Sequence, residues 1–276
     1  RNLQALIGVR YIYHENFKNH ATPNVALMYK PGKFNFRASY AAGFRTPTLS
    51  ELYATDIAKK NDRLTIGNLD LKPEKNNYFS LSAEYVHERF SVSVNAFYNN
   101  IRDMIDYNTI ATGDKAMEQY GHKEVRQRDN IAEAKVHGIN VSANAYLGAG
   151  FNLSGGYTHL NTQDVELEQP IDKSIKNAYN INAQWAHSWK IYRLNINLNG
   201  RFNSKRFSKS YGYAPEYQLW DLNTRHSFNL KSVIIEPGCG MENLFDYMDD
   251  RPYNSNYATL TPGRSFYISL SLKFKS

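Results

Sequence analysis

Arg45 is the residue whose type is best suited to meet an anion, because its planar guanidinium is always charged and presents a fork of donors that matches a carboxylate or phosphate. It sits at the start of a polar stretch, 44–74, together with Tyr53. There it could contact an anionic ligand, or pair with Glu51 or Asp70 and hold the stretch closed. A second candidate is the segment Ser204-Lys205-Arg206-Phe207-Ser208-Lys209-Ser210-Tyr211-Gly212-Tyr213, where cations are interleaved with rings. Charge attraction, ring stacking and cation–π contact from Lys205, Arg206, Tyr211 and Tyr213 would suit an anionic aromatic ligand such as a ferric catecholate complex. A solvated loop, or one touching an acidic lipopolysaccharide surface, would have the same composition. Tyr247, Tyr253 and Tyr257 could line a binding mouth or belong to an interfacial belt. His122, Lys123, Arg126 and Arg128 form another basic stretch, nearly cancelled by Asp114, Glu118 and Glu124.

Other chemistries find little footing. The eight histidines never fall at HxH or HExxH spacing, so no directly coordinated metal is expected. No nucleophile-elbow pattern and no Gly-rich phosphate loop occurs, so no catalytic residue is assigned. The charge balance, 33 basic against 26 acidic residues, is +7 without a lysine block, which reads as solvated surface and not as a nucleic-acid footprint. The single Cys239 can form no internal disulfide and reads as a buried or lipid-facing thiol.

The elements that must position these residues are strands. In Ser265-Phe266-Tyr267-Ile268-Ser269-Leu270-Ser271-Leu272-Lys273-Phe274 the even positions are all apolar, and Tyr192–Asn199 alternates in the same way. A period of two sends successive side chains to opposite faces of a strand. The pattern predicts strands at roughly 2–14, 22–30, 33–43, 75–87, 89–106, 129–147, 150–163, 177–188, 190–203, 217–229, 232–243 and 263–275. Pro237 should disturb the pairing locally, because it brings no N–H to a ladder. Short turns at Pro31-Gly32-Lys33, His87-Glu88-Arg89, Gly148-Ala149-Gly150, Ser188-Trp189-Lys190 and Leu230-Lys231 alternate with long polar links at 15–21, 44–74, 107–128, 164–176, 204–216 and 244–262. Short on one rim and long on the other, with strands of ten residues or more, is the layout of a transmembrane barrel and not of a soluble sandwich. The 21 Tyr and 14 Phe fit aromatic belts at the membrane interfaces. No apolar run approaches the ~20 residues a membrane helix needs, and mean hydropathy is −0.60. Within 44–74, Thr48-Leu49-Ser50-Glu51-Leu52-Tyr53 could form a short capped helix. Arg37, Arg193, Arg201 and Arg225 lie on the polar face, where they would face whatever fills the lumen. No linker-like segment divides the chain, so residues 1–276 read as one domain.

Two boxes, Gly43-Phe44-Arg45-Thr46-Pro47-Thr48-Leu49-Ser50-Glu51-Leu52-Tyr53 and Gly67-Asn68-Leu69-Asp70-Leu71-Lys72-Pro73-Glu74, resemble the FRAP and NPNL boxes of the TonB-dependent outer-membrane receptors, best known from their haem-receptor branch. Glu242-Asn243-Leu244-Phe245-Asp246 resembles that family's NLFD segment, and Lys135-Val136-His137-Gly138-Ile139-Asn140 its Gly-bearing strand. Phe274 lies near the family's terminal aromatic, with Lys275 and Ser276 after it. The resemblance implies an all-β, antiparallel transmembrane β-barrel in the bacterial outer membrane: about 12 C-terminal strands of a barrel of about 22, with the plug absent. It implies a receptor, not an enzyme, that takes up an iron complex, either a siderophore or haem, with a cobalamin-type corrinoid next. These would be transported ligands and not cofactors. The expected partners are outer-membrane lipid, TonB acting through the plug, and a surface lipoprotein, with no nucleic acid. The haem branch carries an iron-ligating histidine between the boxes, yet residues 48–66 hold none. A passive porin or a barrel hydrolase would share the strands but not the boxes. The start at Arg-Asn-Leu, without a signal peptide, reads as a processed or truncated piece. Twelve strands would leave two bare edges that lipid does not tolerate, so either other strands cover them or 2–14 pairs with 263–275.

Overall fold

The computed structural model describes residues 2–131, 133–209, 211–249 and 258–275. The elements run β1 (Leu3–His14), β2 (Lys18–Tyr29), β3 (Phe34–Arg45), α1 (Leu49–Tyr53), β4 (Thr55–Ala58), β5 (Arg63–Ile66), β6 (Glu74–Val86), β7 (Phe90–Arg102), β8 (Met104–Thr112) and α2 (Gly113–Tyr120). They continue with β9 (Glu124–Ile131), β10 (Ala134–Gly148), β11 (Phe151–Asp164), β12 (Asn177–Trp189), β13 (Tyr192–Asn203), β14 (Arg206–Ser208), β15 (Gly212–Ala214), β16 (Tyr217–Asn229), β17 (Val233–Glu242) and β18 (Ser265–Phe274). Twelve of these form one antiparallel sheet, with each long strand beside its neighbour in the chain: β1-β2-β3-β6-β7-β10-β11-β12-β13-β16-β17-β18. The short strands belong to the long connections, as a four-stranded sheet β4-β5-β9-β8 and the hairpin β14-β15.

The registers keep parity across the sheet, so each face has one character. One row runs Leu27, Ala38, Leu81, Ala96 and Ile139 across five strands. The opposite face carries Arg37 beside Ser82, Asn95 beside Asn140, and Asn182 beside Asn199. Its polar groups bond to one another, as in Ser39–Ser80 at 2.7 Å, Ser93–Ser142 at 2.7 Å, and Asn182 Nδ2 to both Asn197 Oδ1 and Asn199 Oδ1 at 2.6 Å. The apolar face is left exposed: Leu81 and Leu270 are each 65% accessible. That is the arrangement of a wall between lipid and a polar lumen. Aromatic rings gather in two bands on this face. Near the short turns lie Phe34–Tyr85 (4.9 Å between centroids), Tyr85–Phe90 (5.6 Å), Trp189–Tyr192 (5.6 Å) and Tyr192–Phe228 (5.0 Å). Toward the other rim lie Tyr40–Phe79 (4.8 Å), Tyr157–Tyr179 (4.6 Å) and Tyr179–Phe202 (5.6 Å). The ladder between β16 and β17 lapses between Arg225↔Gly238 and Phe228↔Ile235, opposite Pro237, as a residue without an N–H requires. Cys239 is exposed on the apolar face, beside Ile268.

Five expectations need correction. The link expected at 15–21 is only a turn, because β2 already begins at Lys18 and pairs with His14. The strand expected over 89–106 ends at Arg102: Asp103 has φ 54°, and the chain restarts as β8 in the outer sheet. The strand expected over 129–147 likewise begins at Ala134, since residues up to Ile131 pair with β8 outside the main sheet. The stretch 107–128, expected as a polar link, therefore contains parts of two strands and all of α2. Finally, the main sheet is open. Among the described residues β1 pairs only with β2 and β18 only with β17, so both edges are bare there and the smaller closure between them does not form. A barrel's diameter grows with strand number, and a sheet curved for a wide cylinder cannot bring its twelfth strand back to its first.

Candidate functional site at the long-loop rim

The most tightly built part of the rim starts at Arg45. Register places Arg45 opposite Glu74 on the polar face. The guanidinium donates to Glu74 through Nε (2.7 Å) and Nη2 (2.6 Å), and to Glu51 Oε2 through Nη1 (2.9 Å). Glu51 is held by its own helix: the Glu51 N–H donates to Thr48 Oγ1 (3.2 Å), and the Thr48 N–H returns to Glu51 Oε2 (2.8 Å), a complete capping box. Burial alone would raise the Glu51 carboxyl, but the bonds from Arg45 and Thr48 outweigh it and hold the group below the ordinary carboxylate range. Glu74 Oε1 also accepts the Ile105 N–H at 2.8 Å, which ties the clamp to β8. Beneath it Leu52, Leu71 and Ile105 form a small core, with Phe17 packed against them. The loop-holding role of Arg45 is thus realised with Glu51 and Glu74. Asp70 stays exposed, its N–H bonded to Asn68 Oδ1 at 2.9 Å.

The two boxes meet across α1. The Gly67 N–H donates to Ala54 O (2.8 Å) and the Asn68 N–H to Glu51 O (3.0 Å). A Cβ on Gly67 would stand 2.5 Å from Leu52 O and 2.8 Å from Tyr53 N, so the approach requires glycine. Asn130 of β9 closes the assembly: its side chain accepts the Lys72 N–H (2.6 Å) and donates to Lys72 O (2.9 Å) and Asp103 O (2.7 Å). The outer sheet has its own core of Leu64, Ala116 and Val125 under α2. Its basic residues are engaged locally. His122 Nδ1 lies 2.9 Å from Asp62 Oδ1, Arg126 pairs with Glu124 at 2.6 Å, and Arg128 stacks 3.6 Å over the Tyr107 ring. The hydrogen bond with His122 holds the Asp62 carboxyl below its ordinary range.

The second candidate segment folds as the hairpin β14-β15, with the Phe207 and Tyr213 rings 5.4 Å apart. It leans on the connection before β12, through Lys173 N–H to Phe207 O (2.8 Å) and Phe207 N–H to Ser174 O (3.0 Å). Lys209 Nζ reaches the almost fully buried Asp164 Oδ2 at 2.9 Å. The hairpin carries Arg206, Tyr211 and Tyr213, with Lys205 just before it; both tyrosines are more than half exposed, and the register sets Arg206 opposite Ala214, on the other face of the ribbon from Tyr213. Arg45 and Tyr53 lie on a different connection, after β3, where Tyr53 ends α1 exposed. Tyr247 stacks on Tyr217 (5.9 Å), whereas Tyr253 and Tyr257 lie outside the described residues. Arg37, Arg193, Arg201 and Arg225 all fall on the polar face, opposite Ser82, Ser227, Asn180 and Asn195 respectively.

Sequence reasoning missed Glu74, Asn130 and Asn243. Glu74 closes the second box, which was its only signal; Asn130 had none. Buried Asn243 explains the Asn-Leu-Phe-Asp segment: with φ 51° it accepts the Tyr247 N–H (2.9 Å) and donates to Tyr247 O (2.7 Å), folding the exit from β17. Among the described residues no three metal-ligating side chains converge.

A chain-ordered antiparallel sheet with an apolar, aromatic-banded outer face, a polar inner face and elaborate loops on one rim defines a wide transmembrane β-barrel. The chain belongs to the TonB-dependent receptor-like β-barrel family, whose model matches residues 2–244. It is therefore part of a bacterial outer-membrane receptor, and the family's members are transport receptors, not enzymes. Its fold is that of several solved receptors. A variant of the ferric enterobactin receptor PfeA from Pseudomonas aeruginosa superposes with a TM-score of 0.78 at 20% identity, over 99% of this chain and 43% of that one. The siderophore receptor PirA from Pseudomonas aeruginosa gives 0.73 at 17% identity, over 100% and 46%. BauA, the ferric preacinetobactin receptor from Acinetobacter baumannii, gives 0.71 at 19% identity, over 99% and 40%. The chain thus spans less than half the length of these receptors.

Proposed function

We propose that this chain, read as a single partial barrel domain over 1–276, is the C-terminal part of a receptor for TonB-dependent uptake of a ferric siderophore. The observation that carries the ligand class is the β14-β15 hairpin, which has Lys205 just before it, begins with Arg206 and leaves the rings of Tyr211 and Tyr213 more than half exposed. Cations and ring faces together favour an anionic, aromatic complex. The similar structures are named for ferric enterobactin, a siderophore and ferric preacinetobactin, which agrees with that chemistry. Haem and a corrinoid are the next readings, and haem loses ground because residues 48–66 hold no histidine. In this reading Arg45 acts as the anchor of the loop that carries Tyr53, and Arg37, Arg193, Arg201 and Arg225 face a plug through which TonB acts. A surface lipoprotein gains no support from the geometry.

The test is made on the full receptor chain in its outer membrane. Replacing Tyr211 and Tyr213 by Ala should weaken binding of a ferric catecholate about tenfold each, as truncating exposed aromatic anchors does, and leave haem and cobalamin uptake by the cell unchanged. Equal binding by wild type and variants, or a growth defect of the deletion strain confined to haem or cobalamin as sole source, would overturn the siderophore assignment.

A further inference from the structure

On the apolar face the sheet carries an unusual pair. Lys75 of β6 stands directly opposite Arg102 of β7, on the same face as Phe79 and Tyr98. Directly opposed side chains on one face of a sheet are about 5 Å apart at Cβ, and like charges placed so repel each other. Both residues are exposed, and neither side chain has a hydrogen-bond or ion-pair partner among the described residues. Elsewhere on the rim nearby charges are neutralised: Arg45 by Glu51 and Glu74, Arg126 by Glu124, and Lys209 by Asp164. Lys135 of β10, on the same face opposite Asn100, has Glu133 at 4.0 Å.

The height of the pair identifies what would neutralise it. Lys75 and Arg102 stand four residues beyond Phe79 and Tyr98, toward the long loops. Phe79 stacks with Tyr40 in the upper aromatic band, and Tyr98 stacks with His137 at 6.3 Å. Aromatic bands mark the boundary between hydrocarbon and headgroups. Four residues of strand, at ~3.3 Å each and tilted ~40°, place the cations about 10 Å above it, among the headgroups. Asn77 and Asn100 fill the row between, opposite each other, and add donors on the same face. We propose that Lys75 and Arg102, flanked by Asn77 and Asn100, form an outward-facing site for the phosphate of a phosphorylated lipid headgroup in the outer leaflet. Anionic headgroup oxygens would cancel the cross-strand repulsion that the sheet leaves uncompensated, and Arg102 can bind two of them at once. The proposal depends on the barrel's membrane placement and not on which ligand is transported.

The experiment uses the full receptor chain, refolded in detergent, with bis-phosphorylated lipid A as probe and retained lipid read by native mass spectrometry. The variant carrying both Lys75→Asn and Arg102→Asn should bind the probe about thirtyfold more weakly, at roughly fivefold per cation near an anionic surface. Lys33→Asn, in a short turn at the opposite rim, should not change binding. Wild-type protein should fail to retain the dephosphorylated lipid, and millimolar inorganic phosphate should not displace the lipid. Heat-modifiable gel migration reports whether each variant is folded; should the double variant fail that check, the single Arg102→Asn variant carries the same test with a fivefold loss expected. Undiminished lipid binding by the folded variants, equal retention of dephosphorylated lipid, or displacement by free phosphate would each overturn the proposal.

Discussion

The connection after β3 and the connection after β13 reach the same rim but are built in opposite ways. The first is braced from several sides: Arg45 bridges two carboxylates, Thr48 and Glu51 cap each other, and Asn130 pins Lys72. Leu52, Leu71 and Ile105 pack beneath. The second is a hairpin in which Lys209 reaches the buried Asp164, and both its tyrosine rings are more than half exposed. Several medium contacts distribute the load in the first, so losing one should loosen it only in part. The second is held by that ion pair together with the Lys209 N–H bond to Asp172 and the backbone bonds to Lys173 and Ser174. The difference suits the division of labour proposed above, with the braced connection as scaffold and the tethered hairpin as the proposed contact surface.

Breaking the buried ion pair should have the largest effect. Lys209→Met leaves the Asp164 carboxylate, with its side chain only 3% exposed, without its cation. Stripping one partner from a buried pair costs about 3 kcal/mol. Hydrogen exchange of the full receptor should show the hairpin amides of 206–208 and 212–214 exchanging much faster, with 48–54 unchanged. Unaltered hairpin exchange would mean that the backbone bonds to Ser174 and Lys173 suffice. Next comes Arg45→Ala, which frees Glu51 and Glu74 from their shared cation. Charged hydrogen bonds are worth about 1.5–3 kcal/mol each, but the guanidinium is 43% exposed and solvent screens it. A local loss of about 2 kcal/mol is expected, seen as faster exchange across 48–54 and 67–74 with the hairpin untouched. If the two regions loosened together, the contrast between them would fail.

Gly67→Ala probes the braced connection by shape alone. Its Cβ would overlap Leu52 O, and overpacking of this kind costs roughly 1–2 kcal/mol. Limited proteolysis should cut the variant faster within 54–66 while sparing 204–214. Cleavage no faster than in wild type would show that α1 can shift away and that the brace is softer than its bonding implies.

How much of this contrast could be read beforehand depended on the range of the forces involved. Alternation such as Phe90, Val92, Val94 and Ala96 against Ser91, Ser93 and Asn95 is local and has a fixed period, so the twelve long strands and their faces were legible. The Thr48–Glu51 box was legible for the same reason, since its partners are three residues apart. Glu74 is 29 positions from Arg45, and Asn130 is 58 from Lys72, so only the register of distant strands brings them together. The outer sheet was read as polar link because its strands are short and β5 pairs in parallel with β9, a contact with no local signature. Asp103, with its positive φ, ended a strand whose alternation gave no sign of stopping. In the hairpin the residue types were legible, and their exposure was not, because it depends on where Lys209 finds Asp164.

The smallest effect expected is that of acid on the brace, and its sign follows from Glu51. Its carboxyl is held below the ordinary range in the folded loop by Arg45 and Thr48, and would return to that range once the loop opens. A group depressed on folding contributes stability that is present above its unfolded value and is lost as pH falls through the folded one. Protection of 48–54 should therefore stay flat from neutral pH down to the ordinary carboxylate range and weaken only below it. Because Arg45 also holds Glu74, the first protonation should loosen the loop without releasing it. Glu51→Gln removes the titrating group, so that variant should start with weaker protection and lose less on acidification. Protection that already declined near pH 6, or an acid step of the same size in the Gln variant, would assign the sensitivity to a group other than Glu51.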